Sequence, residues 1–325
     1  MIIPVHNRAS LVLETFASVA AQQSGAEFET IIVDDRSDAA EWALVAEAAQ
    51  RLPRVQTLHL EGQRRGACAA RNTGLAAAAG THVVFLDSDD LLAPHCLRQR
   101  AAAAREQDSD LDFIVFQTGV FHKRVGDSDR VWNIATAEPD LDRFRRGDTV
   151  WQTTGPLWRR TSLLQLGGFD EALTCWQDFE LHARALARGL RYTKCFDLPP
   201  DSFYRCHQKA TISQGGMRGR SAFRSQRRVV RRLTRGTTDR CDRRQLGLLT
   251  LHLFFGGLNQ GFFEPTARLL AWAFARHLLS AQEWIALGLL LRLQRINPAF
   301  PGLWRWRDRI ARKLEGTNTV RQCAA

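Results

Sequence analysis

The feature of this sequence that most constrains the fold is an apolar run that ends in a cluster of carboxylates. Residues 83–86 are Val-Val-Phe-Leu, and Asp87, Ser88, Asp89 and Asp90 follow directly. An unbroken apolar run bounded by polar residues predicts a buried strand of a parallel sheet. The carboxylates then lie past the carboxyl end of the strand, where open α/β sheets bind ligands. An acidic turn that caps the next helix is the alternative for these residues taken alone.

A second predicted strand, residues 28–33, also ends in an acidic pair, Asp34-Asp35. Predicted helices over residues 11–23, 41–52 and 66–79 separate the strands, with Ser10 as the expected cap of the first helix. Strands that alternate with helices predict a mostly parallel sheet with right-handed crossovers. A purely structural sheet does not need acidic pairs at one edge, so the pattern favours a nucleotide site that holds Mg²⁺ or Mn²⁺.

The alternation continues to about residue 197 and then stops. A helix over residues 91–106 and a strand over 111–120 are predicted, and a helix from Trp176 to Arg188 has Asp178 in its first turn, where a carboxylate is favoured. Residues 124–150 are expected to form a long loop over the site. The Trp151 and Trp158 side chains either stack on a sugar or pack in the core. We expect a catalytic domain over residues 1–215 and a helical extension over 216–325.

The extension carries the positive charge of the chain. The formal net charge is +11, and residues 205–244 hold 12 Arg and one Lys against two Asp. Such a stretch suits anionic lipid, nucleic acid or an anionic substrate, and a solvated helix face is the simpler alternative. The apolar segments that follow, residues 246–263, 266–279 and 281–296, lie in a membrane interface or pack on the catalytic core.

Seven scattered cysteines without a Cys-x-x-Cys pair argue against a disulfide framework or a structural zinc site and suit a reducing cytosol. No signal peptide is expected, because the N-terminus opens without a basic region or a cleavage site. No spanning helix is expected, because no run of about 18 uninterrupted apolar residues occurs. These features predict a cytoplasmic protein, with peripheral contact at the inner face of an anionic membrane as a separate hypothesis.

Six segments, in their order and spacing, resemble the family 2 glycosyltransferases: Ile3-Pro4-Val5-His6-Asn7-Arg8, Ile32-Val33-Asp34-Asp35-Arg36-Ser37, Gly66-Ala67-Cys68-Ala69-Ala70-Arg71-Asn72-Thr73-Gly74, Phe85-Leu86-Asp87-Ser88-Asp89-Asp90, Gly167-Gly168-Phe169-Asp170-Glu171 and Gln177-Asp178-Phe179-Glu180-Leu181. The resemblance covers about residues 1–215. It implies the GT-A fold and an inverting transfer of a sugar from a nucleoside diphosphate sugar to an acceptor hydroxyl.

The resemblance also implies roles for single residues. Asp178 would be the general base, and Asp89 and His207 would bind Mn²⁺ or Mg²⁺. Asp35 would accept a hydrogen bond from the base, usually uracil. The implied donor-binding residues are Pro4, Val5, His6, Asp34, Asp35, Arg71, Asn72, Asp87 and Ser88.

Arg71 and Asn72 fit either the nucleotide or the loops that hold the site, and Arg205 is an alternative phosphate contact to His207. Gln177 stands where the family commonly has Glu. Because Gln177 is uncharged, Asp178 has one negative neighbour fewer than in those family members, and its pKa is expected to be raised less.

The implied function is glycosyl transfer to a glycan or lipid-linked acceptor, with a UDP-linked donor expected, in cell-surface polysaccharide synthesis. A non-catalytic sugar-nucleotide or glycan-binding relative would lack a key carboxylate, whereas Asp35, Asp89 and Asp178 are all present. A nucleic-acid-binding protein would interleave basic and aromatic residues, but residues 218–244 contain Phe223 as their only aromatic, so no nucleic-acid partner is expected.

Overall fold

The computed structural model describes residues 1–23, 25–63, 65–107, 110–206 and 218–296. Within them, strands and helices alternate from the first residues onward. In chain order they are β1 Ile2–Val5, α1 Ala9–Ala20, β2 Thr30–Asp34, α2 Ala39–Ala49, β3 Val55–His59, α3 Ala67–Ala77, β4 His82–Val83, β5 Leu91–Leu92, α4 Cys96–Glu106, β6 Phe113–Phe116, β7 Thr118–Phe121, α5 Asp140–Arg145, β8 Pro156–Arg159, α6 Arg160–Leu166, α7 Gln177–Ala187, β9 Tyr192–Cys195, β10 Ser202–Arg205, α8 Gly219–Leu233, α9 Arg240–Asn259, α10 Phe263–Ala275 and α11 Ala281–Ile296.

The chain divides into two compact units. The described part of the first unit comprises Met1–Ala137, Val150–Leu173 and residues 177–206. The described part of the second comprises Glu138–Thr149, Thr174–Trp176 and residues 218–296. Each unit is described separately below.

The first unit is built on β1, whose four residues are all buried. β1 pairs in parallel with β2, and β2 with β3. On its other side Ile2 forms a parallel bridge to Phe85, with hydrogen bonds from Ile2 N to Val84 O (2.9 Å) and from Leu86 N to Ile2 O (3.0 Å). The apolar run that precedes the carboxylates therefore lies beside β1, as predicted, although its regular strand, β4, is short.

Two further sheets complete the first unit, with strand orders β4-β8-β6-β9 and β5-β10-β7. β8 runs antiparallel to both of its neighbours, and β5 runs antiparallel to β10. The predicted α/β class is confirmed, with mixed sheets flanked by helices. Trp151 and Trp158 are fully buried, and Trp158 packs on Phe113 at a ring-centroid distance of 4.4 Å. The packing role expected for the two tryptophans is correct, and the sugar-stacking role is wrong.

Three local predictions also need correction. Arg8, not Ser10, is the N-cap residue of α1, and it has no side-chain cap. Leu91–Leu92 form a strand and the helix begins only at Cys96, because both leucines pair with β10. The expected loop over residues 124–150 contains α5, which has two acidic residues in its first turn and two basic residues in its last and belongs to the second unit.

The second unit is helical. The three apolar segments form helices as predicted, and α8 packs on α9, α9 on α10 and α10 on α11. Asp239 caps α9 by accepting hydrogen bonds from the backbone N–H groups of Cys241 (2.7 Å) and Asp242 (3.1 Å). Among the described residues, no helix combines the length and apolar character required to cross a bilayer.

Candidate active site

The edge at which β1 and β2 end carries the first group of candidate residues. Pro4 pairs with Val33 and Val5 with Asp34, so both strands end at the same level. The Val5 carbonyl accepts a hydrogen bond from Asp35 N at 2.7 Å. Beyond it, His6 Nδ1 lies 2.7 Å from the Asp35 backbone oxygen. Parallel pairing therefore brings the predicted base-binding residues together at one edge.

The two carboxylates of this edge have different surroundings. Asp34 is buried and accepts from Ser37 N (3.0 Å), and its second oxygen lies 3.2 Å from His59 Nδ1. Asp35 is partly exposed, and its Oδ2 accepts from Gly66 N at 2.7 Å. Asp34 therefore holds the turn after β2, and Asp35 is the carboxylate that faces solvent.

Residues 87–90 form an acidic loop next to this edge. Asp87, Ser88 and Asp89 are partly exposed, and Asp90 is buried. Asp90 Oδ1 accepts a hydrogen bond from Arg205 N at 2.9 Å. Burial, and after it the charges of Asp89 and Asp87, raise the pKa of Asp90 well above its ordinary value. The loop therefore concentrates negative charge at the edge where β1 and β2 end.

Arg71 connects the acidic loop to helix α7. Its guanidinium is buried and donates to Asp87 Oδ1 (2.5 Å) and to Gln177 Oε1 (3.0 Å). It also lies over the Phe169 ring, 5.0 Å from the centroid. Burial alone would lower the pKa of Arg71, but the adjacent Asp87 carboxylate raises it above its ordinary value. This buried, permanently charged clamp fixes the position of Gln177, which precedes Asp178.

Asn72 holds the glycine-rich turn before α7. Its amide donates to Phe169 O (2.9 Å) and to Glu171 Oε1 (3.0 Å), and its oxygen accepts from Phe169 N (2.8 Å). Gly168 has φ +60°, and a Cβ there would lie 2.5 Å from Asn72 Oδ1, so this turn requires glycine. Of the two roles expected for Asn72, the structure shows the loop-holding one.

Asp178 lies in the first turn of α7 and is partly exposed. Its Oδ1 accepts a hydrogen bond from Phe179 N at 2.8 Å. Burial raises the pKa of Asp178, against the lowering effects of that hydrogen bond and of Arg71. A carboxylate with a raised pKa that still reaches solvent is suited to accept a proton.

The donor set of this edge fits a divalent cation. Asp87 and Asp89 offer oxygen ligands on one partly exposed loop, and Mg²⁺ in nucleotide sites needs only one or two carboxylates besides substrate phosphates. A cage of three or more His, Cys, Asp or Glu side chains does not occur in the part of the chain that the structure describes. His207, the second predicted metal ligand, lies outside the described residues.

The structure gives Arg8, Gln177 and Arg205 contacts within the site that the sequence analysis did not predict. Arg8 has φ +58° and lies 3.5 Å from Asp89 Oδ2, and Gln177 is the acceptor for Arg71. Arg205 donates to Asp89 O (2.8 Å) and to Glu14 Oε2 (2.7 Å) instead of facing solvent. The sequence signals were present, because Arg8 and Gln177 lie inside the quoted motifs, but their partners are distant in the chain.

Comparisons with known proteins identify the family of the chain. The family model described as glycosyl transferase family 2 matches residues 1–165. The succinoglycan biosynthesis protein ExoO of Rhizobium meliloti is 32% identical over 206 residues, which cover 58% of this chain and 56% of the relative. The O-antigen biosynthesis protein RfbC of Myxococcus xanthus is 35% identical over 188 residues, covering 57% of this chain and 14% of the relative. The match to ExoU, also from Rhizobium meliloti, covers 58% of that protein, so the matches to the two succinoglycan proteins span little more than half of their lengths.

Two solved structures share the fold. The structure of S. aureus TarS 1-349 in complex with UDP-GlcNAc has a TM-score of 0.69 at 19% identity and covers 96% of this chain and 90% of its own. The mannosyltransferase PcManGT from Pyrobaculum calidifontis, in complex with GDP-Man and Mn²⁺, has a TM-score of 0.53 at 18% identity. The match covers 97% of this chain and 85% of the PcManGT chain. At this identity the likeness shows the fold, which is the GT-A fold.

Proposed function

Since the chain belongs to glycosyl transferase family 2, we propose that it transfers a sugar, with inversion, from a nucleoside diphosphate sugar to an acceptor hydroxyl. The observation that carries the proposal is the Arg71 clamp, which ties the acidic loop at Asp87 to Gln177, the neighbour of Asp178. One buried side chain thereby links the group proposed to face the donor with the group proposed to take the proton.

Asp178 is the proposed general base. Its carboxylate takes the proton of the acceptor hydroxyl while that oxygen attacks the anomeric carbon, and the nucleoside diphosphate leaves from the opposite side. Its raised pKa makes it a stronger base than an exposed aspartate. Direct attack in a single step inverts the anomeric centre.

The donor is proposed to lie along the edge of β1 and β2. Pro4, Val5 and His6 would flank the base and ribose, and Asp35 would accept a hydrogen bond from the base while Asp34 keeps the turn in place. Asp87 and Ser88 would approach the ribose. The complex of the TarS fragment with UDP-GlcNAc supports a UDP-linked donor for this chain, which we retain as the finer proposal.

Asp89 and His207 are the residues proposed to hold Mn²⁺ or Mg²⁺ at the diphosphate. When bound, the cation supplies Lewis-acid stabilisation of the charge that develops on the leaving group. Asp89 is partly exposed and its partner Arg8 is 48% exposed, so this carboxylate is accessible to a ligand.

The acceptor is proposed to be a hydroxyl of a glycan or a lipid-linked glycan in cell-surface polysaccharide synthesis. The names of the relatives support this setting, because ExoO belongs to succinoglycan biosynthesis and RfbC to O-antigen biosynthesis. A location on the cytoplasmic side of the cell follows from the use of nucleotide sugars and remains part of the proposal.

The test is turnover of a panel of nucleoside diphosphate sugars by the purified protein, with Mn²⁺ or with EDTA. We expect metal-dependent turnover of one donor, its loss in Asp89→Ala, and its retention in Asp110→Ala, an exposed aspartate that pairs with Arg191. Asp178→Asn should still bind the donor but not transfer its sugar. Donor binding without turnover by the wild-type protein under all conditions would favour the non-catalytic alternative.

A further inference from the structure

Helix α8 has two chemically distinct faces. One face packs inside the second unit through Ala222, Phe223, Val229, Val230 and Leu233. The other face carries five arginines at helical spacing: Arg224, Arg227, Arg228, Arg231 and Arg235, the last of them just past the end of the helix. At a rise of about 1.5 Å per residue, this arginine stripe is roughly 16 Å long.

The arginine stripe lines two shallow clefts. One, of about 350 Å³, is lined by Arg224, Arg227, Arg228, Arg231, Arg232 and Arg235. The other, of about 280 Å³, lies between the end of α8 and α10, where Trp272 and Arg276 join Arg231 and Arg235. The Arg231 guanidinium lies 5.5 Å from the centre of the Trp272 ring. The surface is therefore concave and almost entirely cationic.

Several arginines of the second unit outside α8 form ion pairs with acidic residues of the same unit. Among the described residues, these pairs include Arg143–Asp148, Arg145–Asp242, Arg146–Glu138, Arg244–Glu283 and Arg268–Glu264. By contrast, α8 contains no Asp or Glu. The pKa of Arg227 is lowered by burial and by the like charges of Arg231 and Arg268. Like charges at i, i+4 destabilise a helix, so an anion that covers this face would stabilise it.

We propose that the arginine stripe of α8, with Trp272 and Arg276, docks the protein onto an anionic phospholipid bilayer. Guanidinium groups bind phosphate oxygens through two parallel N–H donors. A stripe of about 16 Å presents these forks to several phosphates side by side, as a lipid surface does, and not to a single phosphate. Clusters of four to eight basic residues on an amphipathic helix are typical of such contacts.

The rest of the second unit favours lipid over nucleic acid. α11 exposes large aliphatic side chains at helical spacing, with Ile285 55%, Leu289 51% and Ile296 82% exposed. Exposed apolar side chains can be buried at the acyl boundary of a bilayer, whereas the polar backbone of a nucleic acid offers them no apolar surface. Single-stranded nucleic acid is bound by aromatic platforms, whereas Trp272 is the single aromatic among the described residues that line the two clefts.

The test is co-sedimentation of the full chain with vesicles of phosphatidylcholine alone or mixed with phosphatidylglycerol, at low and at high salt. The test variant replaces Arg224, Arg228, Arg231 and Arg235 by Gln. Its matched control removes the same charge from exposed arginines of the first unit: Arg51, Arg98, Arg105 and Arg124. A third variant replaces the four α8 arginines by Lys. Thermal unfolding verifies that each variant is folded.

We expect the wild-type protein to bind the anionic vesicles alone, in a salt-sensitive manner. The Gln variant should lose binding by at least about tenfold, while the control retains it. The Lys variant keeps the charge but not the paired donors, so it should bind more strongly than the Gln variant and more weakly than the wild type. Absence of wild-type binding at low salt, or equal losses in the Gln variant and the control, would overturn the proposal. Displacement from vesicles by an oligonucleotide at equal phosphate concentration would assign the surface to nucleic acid instead. Vesicle binding does not require glycosyl transfer. A negative result for membrane docking would therefore leave the proposed glycosyl transfer untouched, and the reverse is also true.

Discussion

Replacement of Arg71 tests the proposed site most directly, because one buried side chain contacts Asp87, Gln177 and the Phe169 ring. Removal of one partner from a fully buried ion pair costs about 3–5 kcal/mol. The Asp87 side chain is 31% exposed and its carboxylate can regain water, so we expect Arg71→Met to lower the free energy of unfolding by about 2–3 kcal/mol. Arg71→Lys keeps the charge but serves only one acceptor, which costs about 1 kcal/mol.

The same replacement changes the proton affinity of the proposed base. Burial raises the pKa of Asp178, and the positive charge of Arg71 is one of the groups that lower it. A general base acts as a carboxylate, so the transfer rate falls as the pH drops through this pKa. Arg71→Met removes the lowering charge and should move the acid limb of the pH profile to higher pH. Arg71→Lys should leave that limb close to its wild-type position.

The assay is kcat/KM for donor turnover against pH, measured together with thermal unfolding. Arg184→Met is the matched control, since Arg184 is also buried and pairs with Glu180 at 2.8 Å on α7. The control should lose stability without a change in the acid limb. A drop in Tm of about 4–10 °C is expected for Arg71→Met. An acid limb that stays in place in Arg71→Met, with Asp178 still required for activity, would refute the coupling of Arg71 to the base.

Three further predictions concern the surroundings of the site. Asn72→Ala should lower the unfolding free energy by about 2–3 kcal/mol with little change in donor affinity, because its hydrogen bonds go to the turn; thermal denaturation and donor titration measure both. Gly74→Ala should lose about 1–2 kcal/mol in chemical denaturation, since its Cβ would lie 2.5 Å from a methyl carbon of the buried Ile2. The control Gly288→Ala, a helical glycine without such a neighbour, should be neutral or stabilising. Burial raises the pKa of the Cys68 thiol to about 12, so iodoacetamide at neutral pH should leave it unlabelled in the folded protein and label it in denaturant, as peptide mass spectrometry would show.

The sequence was most informative where local pattern and burial agree. The strand before Asp34 and the apolar run before Asp87 were predictable because both are buried on both faces, and their acidic ends then follow from parallel pairing. Asp170 likewise serves a local turn, since its Oδ1 accepts a hydrogen bond from Ala172 N at 3.1 Å. These features depend on neighbours within a few residues, which a single sequence displays.

The predictions that were wrong or missing depend on partners far along the chain. The first N–H group of α1, Ala9 N, is bound by the Glu41 carboxylate at 2.6 Å, so the helix begins without the cap expected from Ser10. The strand Ser202–Arg205 was not predicted, because it is defined by pairing with Thr118–Phe121, more than eighty residues earlier in the chain. Local propensity cannot indicate either contact.

The partners of the acidic loop could not be predicted from the sequence, because they lie far from it along the chain. Three separate parts of the first unit contact the side chains of this loop: the Arg71 guanidinium contacts Asp87, the Arg205 backbone N–H contacts Asp90, and the Arg8 guanidinium contacts Asp89.

The contact to Asp89 differs from the other two. The buried Arg71 guanidinium binds Asp87 at 2.5 Å and the Arg205 backbone N–H binds Asp90 at 2.9 Å, whereas the Arg8 side chain is 48% exposed and lies 3.5 Å from Asp89. An ion pair with an arginine this exposed, at this distance, contributes at most about 1 kcal/mol, so the Arg8 contact opposes cation binding at Asp89 only weakly. The weak Arg8 contact and the resemblance both support our proposal that Asp89 binds the metal while Asp87 stays fixed to the clamp.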